Sequence, residues 1–353
     1  MRICFVSAVF FLVSALFAYN PPAGGNNYMR ITSPNLMAGG KSVAGGAVYS
    51  MECDSVLNNP ALPSYNQRYS VQLGATALLN ENKLDREKDN TAGGGFELGV
   101  SIPAAVCVAT CLFQGVFVPF DNVMDLENNL GFTVALSRDL TKRLALGAAG
   151  LFAWNWGNDA HDFAFLGSAG LFFKAGDISF MKDTRLGLCV SNIGGEFSET
   201  SLVGADGHDA DIWQKGPTLK IGGATRFIDE RDFVLAVSLD LSLPEFHNFV
   251  FDTSMDMVFK KVVSVKLSWE YDVHECVEGR GNIVPALGVG FHFALRSKNR
   301  AGTTETYDKK GDMVVSAAWQ NMYNDVEAYS LGVSVDFGEE DNTPPVIILW
   351  GIE

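Results

Sequence analysis

The chain reads as an all-β protein: an antiparallel transmembrane β-barrel of about fourteen strands with an N-terminal plug in its lumen. Three observations predict it. From Tyr69 to Phe337, runs of roughly ten residues alternate apolar with small or polar side chains, as a strand facing lipid on one side and a lumen on the other must. Charge is confined to one parity: Phe233, Leu235, Val237, Leu239, Leu241 and Leu243 share a face opposite Ser238, Asp240 and Ser242. Connections between the runs alternate long and short, the habit of barrels with long external loops and short periplasmic turns.

Taken in order, Met1-Arg2, the apolar run Ile3 to Phe17 and the small Ala18 have the layout of a secretory signal peptide over 1–18, with a mature chain beginning near Tyr19. Residues 19–68 are rich in Gly, Asn and Pro. They are too apolar at Leu36-Met37-Ala38 and Val43-Ala44 for a solvated tail and too broken for a spanning strand, which suits a plug inside the lumen. The barrel itself occupies 69–337, with strands expected near 69–79, 93–103, 105–118, 129–139, 142–155, 163–175, 184–193, 215–226, 232–243, 248–259, 262–272, 281–295, 311–320 and 328–337. The segment Arg296 to Lys310 departs from the alternation of connections, being long on the short-turn side. A tail, 338–353, follows the aromatic Phe337.

Aromatic residues near strand ends (Tyr69, Trp154, Trp156, Trp213, Trp269, Tyr271, Trp319, Tyr323, Tyr329) would form the interfacial girdles of such a barrel. The low-charge stretch Pro103 to Phe120 approaches the length of a spanning helix, but it is Val-rich, broken by Gly115 and bounded by prolines, so it is read as strand. Cys53, Cys107, Cys111, Cys189 and Cys276 remain after the signal. An odd number makes no disulfide framework, and Cys107 and Cys111 on one strand would sit about 13 Å apart. The net charge of −15 excludes a nucleic-acid partner, whose phosphates demand a basic surface.

The segment Met37-Ala-Gly-Gly-Lys-Ser-Val-Ala-Gly-Gly-Ala-Val-Tyr-Ser50, then Asp54-Ser-Val-Leu-Asn-Asn-Pro-Ala-Leu62, resembles the N-terminal hatch of the FadL family of outer-membrane long-chain fatty acid transporters, most of all its treponemal members. The hatch glycines are Gly39, Gly40, Gly45 and Gly46, and Asn59-Pro60-Ala61 matches the family's Asn-Pro-Ala motif. In physical terms Asn59-Pro60 is a fixed turn, since proline sets φ and asparagine bonds nearby backbone. PorV-like barrels attached to a secretion machine carry a similar signature, so a structural or interaction barrel, such as a scaffold or adhesin, is the alternative.

The resemblance implies passive uptake of a long-chain fatty acid or other hydrophobic small molecule by a monomer in the outer membrane, in contact with membrane lipids and placed there by the outer-membrane insertion machinery. By analogy a lateral wall opening is expected on the third strand, with a kink at Gly115. No cofactor, metal or catalytic residue is assigned. Gly40-Lys41-Ser42 lacks the earlier glycine and preceding strand of a phosphate loop, and Asp206, His208, Asp209 and Asp211 read as an ordinary acidic loop. Among the histidines only His292 falls in a strand, on the lumen face with Gly288 and Gly290.

Overall fold

The computed structural model describes residues 28–39, 42–46, 52–80, 92–104, 106–118, 127–156, 161–195, 217–244, 246, 248–277, 284–301, 304–321 and 326–338. The expected signal peptide, Gly40, the acidic loop at 206–211, Trp213, Tyr323 and the tail after Gly338 lie outside the described residues.

Among the described residues, fourteen strands follow one another: β1 (Tyr69–Asn80), β2 (Ala92–Pro103), β3 (Val108–Val118), β4 (Glu127–Asp139), β5 (Leu144–Trp156), β6 (His161–Ile178), β7 (Met181–Gly195), β8 (Thr218–Asp229), β9 (Phe233–Pro244), β10 (Val250–Phe259), β11 (Val263–Asp272), β12 (Ala286–Ala301), β13 (Thr304–Asn321) and β14 (Val326–Phe337). Each pairs antiparallel with its chain neighbours, and β14 returns to β1 with Tyr69 opposite Phe337 and Asn80 opposite Val326. The sheet is closed. Closure leaves no edge, which a wall in lipid requires because hydrocarbon offers nothing to an unpaired backbone group.

Side-chain parity sets which face is which. Leu239 is 60% exposed while Asp240 beside it is 3% exposed, and Tyr69 is 56% exposed against 4% for Ser70. The same division holds on β10, where Phe251 and Phe259 face out and Asp252, Ser254 and Asp256 are buried inward. Outward leucines and phenylalanines form an apolar belt, with the polar atoms gathered in the lumen. A one-residue slip would turn every charge into lipid, so register is strongly specified. Aromatics border the belt at both ends: Tyr69, Phe180, Phe227, Phe259 and Phe337 near the short turns, and Trp154, Phe163, Tyr271 and Tyr329 near the long connections.

One end carries the tight connections, at 104–107, 140–143, 179–180, 230–232, 260–262 and 302–303. At Lys260 and Lys261 both φ values are positive (51° and 57°), the geometry of a two-residue hairpin turn that matches strand twist. The stretch expected as a long connection at 296–310 is instead ladder: β12 and β13 continue past a register shift at Leu295/Arg296, with Arg296 opposite Lys309 and Ala301 opposite Thr304. The physical reason is that this part runs past the last pairing of β11 with β12 and of β13 with β14, beyond the belt. Its sequence, Arg296-Ser-Lys-Asn-Arg300 and Thr304-Glu-Thr-Tyr-Asp-Lys-Lys310, is polar at nearly every position, so no apolar alternation marks it. With that hairpin counted, every connection at this end has four residues or fewer, whereas those at the other end run from four residues (157–160 and 322–325) to twenty-two (196–217).

Among the described residues, no helix is long and apolar enough to cross a membrane. Pro103 ends β2 and the following apolar run is β3, as expected. Among the described residues the five cysteines are free thiols, two of them, Cys53 and Cys189, buried.

Leu239→Arg puts a guanidinium near the middle of the outward face and is expected to destabilise the barrel by about 2–4 kcal/mol, whereas Phe180→Arg at the turn end should cost about 0–1 kcal/mol. Denaturant titration of the chain folded into lipid vesicles checks the difference.

Candidate functional site in the lumen

The described part of the N-terminal segment is a chain of short turns. A 3-10 turn spans Tyr28–Thr32, helix α1 spans Pro34–Ala38, a turn covers 42–46, and further 3-10 turns span Cys53–Leu57 and Leu62–Tyr65. Pro34 opens α1 because its missing N–H costs nothing at a helix start, and Ser33 Oγ caps it by accepting from the Leu36 N–H at 3.2 Å. Gly45 and Gly46 have φ of 73° and 69°, a left-handed pair that side chains with a Cβ adopt at a cost.

Asn59, the first motif residue, is fully buried. Its amide Nδ2 donates to the Val43 carbonyl at 2.9 Å and to the Leu171 carbonyl of β6 at 2.8 Å, while Oδ1 accepts from the Ala61 N–H at 3.0 Å. One side chain thus joins the 42–46 turn, the wall and its own turn. Wall glycines clear the space for it. A Cβ at Gly170 would stand 1.9 Å from Asn59 Oδ1, and one at Gly147 would stand 2.1 Å from the Pro60 carbonyl oxygen. Ala61 packs with Leu62, Ala145 and Phe172 in a small apolar cluster. Of the expected hatch glycines, Gly39 lies against the Lys266 side chain.

A second attachment is polar and acidic. Asp54 accepts from Ser33 Oγ at 2.5 Å, from Gln72 Nε2 at 2.7 Å and from Asn35 Nδ2 at 3.3 Å. Gln72 Nε2 also donates to Glu97 at 2.9 Å, and Glu97 accepts further from Thr32 Oγ1 and Gln114 Nε2, both at 2.9 Å. The network therefore runs from the segment across β1, β2 and β3. On the opposite wall, Val43 N–H donates to Asp240 at 2.8 Å and Lys266 Nζ donates to Asn35 Oδ1 at 2.6 Å. At the end of the segment Arg68 bridges Asp312 and Asp336, each at 2.7 Å, fastening it to β13 and β14.

Between the segment and β10–β13 remains a cavity of about 50 Å³, lined by Glu52, Asp256, Ser264, Lys266 and His292 among others. That is room for a few waters, well under the ~300 Å³ at which ligand pockets begin. His292 Nε2 lies 3.0 Å from Ser264 Oγ, inward as its parity predicts. Burial, then repulsion from Asp54, raises the Glu52 carboxyl to about 8, and burial also raises Asp54.

Sequence reasoning named Asn59, Pro60 and Ala61, and these do come together against the wall. Of the lumen-face glycines it named, Gly288 meets Ala38 and Gly290 meets the Ser264 side chain; Gly222 and Gly332, on the same face of their strands, meet Val43 and Pro34. It missed Gly147 and Gly170, and it missed Gln72, Glu97 and Gln114. Gly115 sits in unshifted pairing with β2 and β4, and on the outward face a Cβ there would meet the Phe96 ring at 2.3 Å.

No family model and no curated protein matches the chain by sequence. Solved structures do match in shape. A TodX monoaromatic hydrocarbon channel (deltaS2 mutant) superposes with TM-score 0.52 at 10% identity, over 89% of this chain and 99% of that one. The Ralstonia pickettii toluene transporter TbuX gives TM-score 0.52 at 10% identity, covering 90% and 99%, and the CymD monoaromatic hydrocarbon channel gives 0.50 at 11%, covering 88% and 100%. At such identities the likeness shows a shared fold.

Asn59→Ala leaves the buried Val43 and Leu171 carbonyls without their donor and is expected to weaken the attachment by about 2–5 kcal/mol. Gly170→Ala should act in the same direction by collision. Faster hydrogen exchange in residues 42–65, with the strands unchanged, is the readout.

The raised Glu52 carboxyl gives a pH dependence whose sign is fixed. Its neutral form is favoured in place, so its contribution is complete below pH 4.5 and is lost as pH rises toward about 8. Exchange of residues 52–65 should therefore quicken over that window, and Glu52→Gln should shrink the pH effect.

Proposed function

We propose that the chain is a channel of the bacterial outer membrane that carries hydrophobic molecules, long-chain fatty acids among them, and that residues 19–68 are its hatch. The single observation that carries this reading is a closed cylinder with an apolar exterior whose inner wall is joined, through Asn59, Asp54 and Arg68, to one N-terminal segment. The fold it shares with hydrocarbon channels and a toluene transporter supports a hydrophobic cargo. The signal-like start at 1–18 and the match to the hatch motif support export and the FadL resemblance.

The mechanism follows from what holds the hatch. α1 and the Asn59 turn are held both by apolar burial, with Met37 and Ala38 in one cluster with Leu78, Ala318 and Val326 and Leu62 against Phe172, and by hydrogen bonds, several of them to carboxylates. The hydrogen bonds exchange with water at a net cost of about 1 kcal/mol each, so a shift of the hatch costs chiefly the apolar contacts it breaks. With a cavity of about 50 Å³ beside it, cargo passes only after such a shift. No energy-converting site is assigned, and flow runs down the concentration gradient.

Proteoliposomes holding the purified chain should take up a fluorescent long-chain fatty acid in a saturable way while conducting ions poorly, and extraction of the purified chain should release bound lipid. Absence of uptake together with a co-purifying envelope protein would instead favour a scaffold barrel of the PorV type.

A further inference from the structure

At the short-turn end a second cavity, of about 360 Å³, opens between the N-terminal segment and the wall, bounded by Tyr65, Asp139, Lys142, Arg143, Phe172 and Lys174. Its size lies in the range of small-molecule sites, unlike the inner cavity. The floor is apolar. Phe172 is 2% exposed and packs with Ala61, Leu62 and Ala145, and the Tyr65 ring meets it edge-on with centroids 5.5 Å apart. Leu144 completes that side.

The rim is cationic, in a chain whose net charge is −15. Lys142 and Arg143 are exposed in the β4–β5 turn and form no ion pair among the described residues. Lys174, Arg185 and Arg226 converge on one carboxylate, Asp183, at 3.4, 2.6 and 3.1 Å. The ammonium of Lys174 and the guanidinium of Arg185 also flank the Tyr65 ring, at 4.9 and 5.1 Å from its centroid. Asp139, the acid within the cavity, accepts from Gln67 Nε2 at 2.9 Å. Among the lining residues three cations, Lys142, Arg143 and Lys174, thus stand against one acid, Asp139, at a mouth with a greasy floor.

We propose that this cavity binds hydrophobic monocarboxylates, with the apolar body on Phe172, Leu144 and Tyr65 and the carboxylate held at the rim by Lys142 and Arg143. Under the transport reading, on which its role rests, the site receives acidic cargo as it leaves the channel. A neutral hydrocarbon can use the floor but gains nothing from the rim, so the cavity discriminates by charge.

The test is photolabelling of the full chain in detergent with diazirine-bearing octanoate, octanol and octyl phosphate, followed by peptide mapping. Octanoate is expected to label the peptides holding Tyr65, Leu144 or Phe172. The double variant Lys142→Gln/Arg143→Gln, altered only in an exposed turn, should weaken that labelling by about three- to tenfold in half-saturation and leave octanol labelling unchanged. Equal labelling by octanol, labelling confined to other peptides, indifference to the double variant, or preference for octyl phosphate would each overturn the carboxylate site. Uptake of a neutral hydrocarbon by wild-type proteoliposomes reports separately on the channel, so loss of one proposal is told apart from loss of the other.

Discussion

Hydrocarbon gives a backbone nothing to bond, and the architecture follows from that. Each strand must find partners on both sides, so the sheet closes, and once closed it has an inside and an outside that alternate with every residue. The outside is settled by lipid. The inside then has a problem of its own: Asp, Glu, Gln and Lys side chains on inward parity need partners away from bulk water. The N-terminal segment provides many of them, and its backbone carbonyls and short polar side chains take up donors from strands on all sides of the cylinder.

How closely that segment approaches the wall is decided by absent side chains. Gly74, Gly147, Gly187 and Gly332 stand where a Cβ would collide with Thr32, Pro60, Val43 and Pro34, so turns of the segment seat directly on strand backbone. Close seating aligns the amides of Asn59, Gln72 and Gln114 with their acceptors at 2.6–2.9 Å.

Much of the wall could be read from residues alone, because lipid and lumen impose opposite demands on neighbouring side chains. Phe233 to Leu243 and Val263 to Tyr271 show their faces without any structure. The β12–β13 extension could not be read, since its residues are polar on both parities and alternation carries no signal. Gly147 escaped notice for the opposite reason: in Leu144-Ala-Leu-Gly-Ala-Ala-Gly150 small residues occupy both parities. Glu97 and Gln114 lie on inward parity, but their meeting with Gln72 and Asp54 depends on strand register and on a segment distant in sequence. The Asn-Pro-Ala turn was found by resemblance, and its geometry explains why an amide is needed there, since Asn59 is donor twice and acceptor once.

The β12–β13 ladder leaves its neighbours behind: β11 pairs with β12 only as far as Phe291, and β14 with β13 only from Gly311 onward. Beyond those points the two strands hold each other and nothing else in the sheet, with outer edges free to hydrate. Lengthening or trimming this spur changes no bond of the cylinder, so evolution and engineer alike can vary its reach, or graft a reporter onto its tip, without disturbing the membrane-embedded part.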